Sequence, residues 1–103
     1  MTRLVNKLNH PLIVGCNYRY TTQRYKNAHF MLVDINFSSG KARLVTRTTN
    51  KDFWIDIDKL IYLHNENNQR KAQRIKTDGA DYLKTLIGCK HAENWLKRQE
   101  AMA

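Results

Sequence analysis

The fold is decided by residues 29–63, which read HFMLVDINFSSGKARLVTRTTNKDFWIDIDKLIYL. Three runs in this stretch, 29–37, 42–48 and 53–57, are rich in β-branched and aromatic residues and are separated by turn formers. A shorter apolar run, 60–63, closes the stretch. The pattern predicts a three-stranded antiparallel meander with a short strand after it.

The register of the meander follows from the turns that are assumed. Two-residue turns at Ser39-Gly40 and Asn50-Lys51 place Ile35 opposite Leu44, and Leu44 opposite Ile57. Both hairpins then select the same apolar face, which predicts the core side of the sheet. Its predicted members are Met31, Val33, Ile35, Phe37, Ala42, Leu44, Phe53, Ile55 and Ile57.

The opposite face of the meander carries an apolar patch in this register. An apolar patch of this kind is expected to be buried by other atoms. Two alternatives remain: the C-terminal helices of the same chain pack on it, or a partner or a stacked base binds at Trp54. If the patch is a protein-interaction surface, its residues are Phe30, Leu32, Arg47 and Trp54.

The strongest global signal is charge. The chain has 103 residues, enough for one compact domain, and a formal net charge of +9 at pH 7. No acidic residue occurs between Met1 and Val33. A compact basic domain attracts polyanions, and nucleic acid is the commonest of these.

Two segments combine these cations with features of nucleic-acid binding. The predicted loop Tyr18–Lys26 interleaves tyrosines with cations, so that rings could stack on bases while cations hold phosphates; alternatively, the tyrosines face the core. The segment Gln69–Lys76 holds four cations and predicts a basic helix or an irregular basic arm, which is either a solvated arm or a phosphate-binding one. The predicted nucleic-acid-binding residues are Arg19, Tyr20, Arg24, Tyr25, Lys26, Arg70, Lys71 and Arg74.

The remaining segments complete the predicted architecture. Residues 12–20 predict a first strand with a bulge or bend at Gly15. Residues 80–87 and 91–100 have the apolar spacing of helices that dock on the sheet, although the glycine between them also permits a helix-turn-helix.

No motif for catalysis is evident in the sequence. It contains no glycine-rich phosphate loop, no HExxH and no nucleophile-elbow serine, so the prediction is a protein that is not an enzyme and has no cofactor. Cross-strand ion pairing explains Asp34, Asp56 and Asp58 near Arg43 more simply than a metal ion does. The separation of the two cysteines and the lack of a membrane-length apolar run predict a protein of the reducing cytoplasm with no membrane partner.

Over about residues 10–63, the pattern of a hydrophobic-glycine start, a basic aromatic loop, a meander and a closing turn resembles a small SH3-like barrel of the Tudor or KOW kind. The resemblance implies binding of nucleic acid, ribosomal partners or methylated tails. Small basic chains of this mixture also resemble bacteriophage accessory proteins, which implies the host cytoplasm as location.

The sequence thus predicts an α+β protein. Residues 1–63 form a small SH3-like antiparallel β-barrel, and residues 64–103 form a basic arm and two or three short helices packed on the barrel as one unit. The predicted function is non-enzymatic nucleic-acid binding, with double-stranded DNA slightly favoured over RNA. The alternative is a small protein-binding modulator, such as a phage inhibitor of a host enzyme, that binds an acidic host protein through the apolar patch.

Overall fold

A computed structural model describes residues 5–22, 28–46 and 51–102. Within these ranges the elements follow the order β1 (Asn17–Tyr20), β2 (Phe30–Asn36), β3 (Lys41–Thr46), β4 (Asp52–Asp56), a 3₁₀ turn (Ile57–Lys59), β5 (Leu60–Tyr62), α1 (Glu66–Asp78), α2 (Ala80–Ile87) and α3 (Cys89–Met102). The predicted α+β class, with strands first and helices after them, is confirmed. None of the helices in these ranges is long and apolar enough to cross a membrane.

The strands form one antiparallel sheet in the order β4-β3-β2-β1-β5. The predicted meander is β2-β3-β4, and β1 joins it to β5. In the described ranges β4 and β5 are the two edges of the sheet, and no ladder between them closes it. The architecture is therefore an open five-stranded sheet rather than the closed barrel that the sequence predicted.

The predicted register of the meander is wrong in both hairpins. Leu44 pairs with Leu32 on one side and with Phe53 on the other, instead of with Ile35 and Ile57. The cause in the first hairpin is a four-residue turn, 37–40, combined with a β-bulge between Leu32 and Asp34. A bulge adds one residue to one strand, so Leu32 moves to the core face and is fully buried there.

Most of the predicted core residues lie in the observed core despite the change of register, because the inward-facing positions of β3 are the predicted ones. Five of the nine predicted core residues are buried: Val33, Ile35, Ala42, Leu44 and Ile57. The other four are partly buried and pack against the core: Met31, Phe37, Phe53 and Ile55. The apolar side of the meander was therefore assigned largely correctly even though its pairing was not.

The first strand is shorter than predicted. Of residues 12–20 only the last four lie in β1; the chain before them is irregular and bends at Gly15, where φ is 105°. The hydroxyl of Tyr18 holds this segment, because it donates to the carbonyl of Pro11 at 2.6 Å and accepts from the N–H of Ile13 at 2.8 Å. Burial of that hydroxyl raises its pKa.

Gly15 is also where the helices meet the N-terminal segment. A β-carbon at this position would lie 2.8 Å from Cδ2 of Leu86 and 3.2 Å from Cδ1 of Ile75. The side chains of Ile75 in α1 and Leu86 in α2 therefore occupy the space next to this backbone, and Leu86 would have to shift to admit a β-carbon. This contact is the packing reason for a glycine there, beyond its positive φ.

The buried amide of Asn68 attaches α1 to the sheet. Its oxygen accepts from the N–H of Asn17 at 2.8 Å, and its nitrogen donates to the carbonyls of Asn17 and Leu63, each at 2.8 Å. These groups lie where the ladder between β1 and β5 ends, since its last pair is Tyr18 with Tyr62. The side chain thus replaces a strand partner, and α1 begins where the ladder stops.

An ion pair attaches α3 to β2. The guanidinium of Arg98 donates from Nε and Nη2 to the two carboxylate oxygens of Asp34 at 2.9 and 3.0 Å. Asp34 is 2% exposed and also accepts from the N–H of Ile35. Hydrogen bonding to this carboxylate raises the pKa of Arg98. The C-terminal helices therefore cover part of the sheet face that the sequence left open.

Candidate nucleic-acid interface

A groove lies between the first two turns of α1 and the sheet. Its volume is about 390 Å³. Its lining residues come from β1, the start of β2, the end of β3 and α1, and they are Asn17, His29, Met31, Val45, Thr46, Asn67 and Lys71. It is a recess with an apolar floor and a polar rim.

The sheet register explains why these side chains meet. Asn17 pairs with Met31, and Met31 pairs with Val45, so the three form one row across β1, β2 and β3 on the same face. On α1, Asn67 and Lys71 are four residues apart and lie on one side of the helix. The attachment of Asn68 to β1 sets that side of the helix over the row.

The described lining of the groove has a cation and no acid, and the acidic side chains of the sheet are paired elsewhere. Lys71 and His29 line it, and none of the described lining residues is acidic. The aspartates of the sheet region each have a cationic partner in the pairs Lys7–Asp58, Lys41–Asp56, Arg43–Asp52 and Arg98–Asp34. Hydrogen bonding to Lys41 lowers the pKa of Asp56. The ion pairs differ from those expected around Arg43. Asp56 forms a cross-strand pair, but its partner is Lys41, and Arg43 pairs with Asp52 instead.

The predicted basic loop is partly strand. Arg24, Tyr25 and Lys26 lie outside the described residues. Arg19 lies in β1, where alternation places it on the same face as the groove residue Asn17, and its Nε is buried without a hydrogen-bond partner.

Tyr20 lies on the other face of β1. Its ring packs 5.4 Å from the ring of Phe30 and 6.0 Å from that of Phe53, at the margin of the core. For Tyr18 and Tyr20 the alternative reading of core-facing tyrosines is therefore the correct one.

The predicted basic arm is the middle of α1, where Arg70 and Arg74 line one recess together and Lys71 lines the groove instead. Arg70 pairs with Glu66 at 2.9 Å, four residues earlier in the helix. Lys71 turns toward the groove.

Arg74 makes a similar local pair. Its Nε lies 3.0 Å from a carboxylate oxygen of Asp78, and its guanidinium lies 4.5 Å from the centre of the Tyr82 ring. Two of the three predicted phosphate contacts are thus already paired with acids of their own helix. Lys71 is the one of the three that lines the groove.

The residues of the predicted apolar patch do not share one surface. Leu32 is fully buried, and Phe30 packs with Tyr20 on the core face. Trp54 pairs with Arg43, which puts it on the opposite face, where it is 44% exposed. Arg47 lies outside the described residues.

The described residues offer no cluster of three histidine, cysteine, aspartate or glutamate side chains that could hold a metal ion. The two cysteines are unpaired there: Cys16 is buried, and burial raises its pKa to about 11, whereas Cys89 is exposed. His91 lies near Arg43, and its pKa is lowered by burial first and by that cation second.

Sequence reasoning missed most of the groove. Lys71 was among the predicted residues, but Asn17, His29, Met31 and Asn67 were not. The sequence shows only that two residues of the groove lie near cations: His29 follows the segment 23–27 by two residues, and Thr46 directly precedes Arg47. Recognising them needs the placement of α1 on the sheet, which no local pattern specifies.

Comparison of the chain with protein-family models, with curated proteins and with solved structures found no match.

Proposed function

We propose that the protein is a non-enzymatic nucleic-acid-binding protein that uses the groove between α1 and the sheet. The observation that carries the proposal is the position of Lys71 and His29 in a recess without acidic lining. Two basic segments adjoin it in the sequence: residues 23–27 precede His29 closely, and Arg47 follows Thr46. With a net charge of +9, the chain should be drawn to a phosphate backbone. Duplex DNA, slightly favoured over RNA by the sequence, remains the first ligand to test.

The fold is compatible with this proposal. We infer that the sheet is an open relative of an SH3-like barrel, supported by the position of β1 between β2 and β5 and by the 3₁₀ turn between β4 and β5. Bacteriophage origin and a location in the host cytoplasm stay predictions from the sequence.

Removing the charge of Lys71 should weaken binding to every nucleic acid and flatten its salt dependence. The change Lys71→Met keeps the aliphatic stem and removes only the cation. If Lys71 neutralises a phosphate, the slope of log K against log[salt] should fall by about 0.9, the contribution of one contact. Fluorescence anisotropy with short duplex DNA, single-stranded DNA and RNA across a salt series measures this slope.

The matched control for this prediction is Lys76→Met. Lys76 is an exposed cation of the same helix that does not line the groove, so its loss changes the net charge equally. Equal slopes for the two variants would show a general charge effect and remove the groove from the proposal. The variant with Arg70, Lys71 and Arg74 all replaced by alanine should bind more weakly than Lys71→Met, because Glu66 and Asp78 then lose their cationic partners and repel phosphate.

A second candidate function is the protein-binding modulator, and Trp54 is the observation that favours it. The ring is 44% exposed on the edge strand β4, with the guanidinium of Arg43 at 5.7 Å from its centre. Tryptophan and arginine are the residue types that dominate binding energy at protein interfaces. The proposed partner is an acidic host protein.

The change Trp54→Ala separates the two functions. A nucleic-acid-binding protein that uses the groove should keep its affinity within about twofold and its salt slope unchanged, because no cation is lost. A modulator should lose its partner in pull-downs from host extract while circular dichroism still shows a folded chain. A fall in nucleic-acid affinity with the partner retained would instead place Trp54 in the nucleic-acid interface.

A further inference from the structure

The groove has the size and wall chemistry of a small-ligand site. Its volume of about 390 Å³ lies at the lower end of the range for pockets that enclose small molecules, about 300–1,000 Å³. The floor is formed by Met31 and Val45, which are adjacent in one cross-strand row. A thioether and a branched aliphatic group form a floor on which a flat ring can lie.

The rim of the groove carries two kinds of polar group. Asn17 and Asn67 supply side-chain amides, each with a donor and an acceptor, as the edge of a nucleobase requires. Lys71 and His29 supply N–H donors, and the ammonium group of Lys71 adds a positive charge. A ligand that fits has an apolar flat face, a polar edge and an attached anion. A nucleotide combines these three properties.

We propose that the groove receives one unpaired nucleotide of a nucleic-acid strand. Its base lies against Met31 and Val45, and its phosphate lies at Lys71 and His29. The inference rests on the proposed function, and it specifies which part of a nucleic acid the groove binds. A base inside a duplex is stacked and paired, so a fully paired duplex must unstack a base before the groove can be filled, at a cost of a few kcal/mol. DNA and RNA nucleotides both combine a base with a phosphate, so the experiment uses strands of both kinds to find which one the groove prefers.

The experiment compares a perfect duplex with the same duplex carrying one bulged nucleotide, a fluorescent adenine analogue. The wild-type protein should bind the bulged duplex about tenfold more tightly, in line with the typical worth of stacking one base on a protein surface. The fluorescence of the analogue should change when it leaves water for the groove. The same pair made as RNA shows which sugar is preferred.

A charge-neutral change tests the groove itself. The change Val45→Trp fills the floor without altering the net charge, so the preference for the bulge should disappear while affinity for the perfect duplex remains. The matched control is Ser39→Trp, which adds the same ring at the exposed turn at the far end of the β2–β3 hairpin. This control should keep the tenfold preference.

The outcomes separate the inference from the function beneath it. No binding of any strand by the wild-type protein would overturn the proposed function. Binding without a preference for the bulge, or a preference that survives Val45→Trp, would overturn the nucleotide site alone. If Val45→Trp does not fold, the analogue decides: unchanged fluorescence at saturation with the wild-type protein overturns the inference, and a change that Lys71→Met weakens supports it.

Discussion

Replacing Asn68 with alanine should lower the free energy of unfolding by about 3 kcal/mol, because three half-buried backbone groups lose their partner. These groups are the N–H and carbonyl of Asn17 and the carbonyl of Leu63. The side chain of Asn68 is fully buried, so water does not readily replace its amide there. For a chain of this size the midpoint of thermal unfolding should fall by more than about 10 °C.

Urea denaturation followed by circular dichroism measures the change in free energy. The matched control is Gln69→Ala, which removes a similar amide from the next, exposed position of α1 and should change stability by less than about 0.5 kcal/mol. A loss for Asn68→Ala no larger than that of the control would contradict the role of this amide in holding the helix to β1.

Removal of the guanidinium of Arg98 should be nearly as damaging. The carboxylate of Asp34 would then remain buried, and among the described residues the N–H of Ile35 would be its remaining hydrogen-bond donor. Breaking a buried pair typically costs about 3–5 kcal/mol. The Arg98 side chain is 32% exposed, so water offsets part of the loss, and the expected value for Arg98→Ala is about 3 kcal/mol.

A double variant shows whether the cost comes from the stranded charge. Replacing both partners by apolar residues, Asp34→Leu with Arg98→Met, should be less destabilising than Arg98→Ala alone, because no charge is left without a partner. The neighbouring Lys97→Ala is the control for a lost surface cation. A double variant at least as unstable as Arg98→Ala would assign the loss to packing instead.

The elements of the fold could be predicted from sequence because their signals are local. Runs of β-branched and aromatic residues between turn formers gave the meander, and apolar spacing gave α2 and α3. The inward-facing positions of β3, such as Ala42 and Leu44, follow from alternation alone.

The pairing of β2 with β3 could not be predicted, because it depends on a bulge in β2 and on the length of the turn between the two strands. The bulge between Leu32 and Asp34 has no glycine or other local mark, and the turn before Lys41 is two residues longer than assumed. Each of these changes shifts the partners along the strand. Only the bulge reverses the face assigned to Leu32, because a shift of two residues leaves each side chain on its original face.

The polar anchors of the helices were missed for another reason. Asn68 lies in a run of polar residues, 64–68, that is typical of either a linker or the start of a helix, and its bonds to Asn17 span 51 residues. A long-range bond from a side chain to the backbone leaves no periodic pattern. The candidate site could be predicted only in part for the same reason. Charge indicated Lys71, but the groove around it forms only when α1 packs on the sheet.

The N-terminal segment carries a similar anchor, which bears on the order of folding. The buried side-chain nitrogen of Asn6 donates to the carbonyls of Ile57 at 3.0 Å and Leu60 at 2.9 Å, across 51 and 54 residues. During synthesis these acceptors leave the ribosome long after Asn6, so its bonds cannot form until β5 has emerged. Folding therefore has to close long loops, which slows it in proportion to contact order. A nascent chain that ends before residue 57 would hold the first strands without the anchor that closes them.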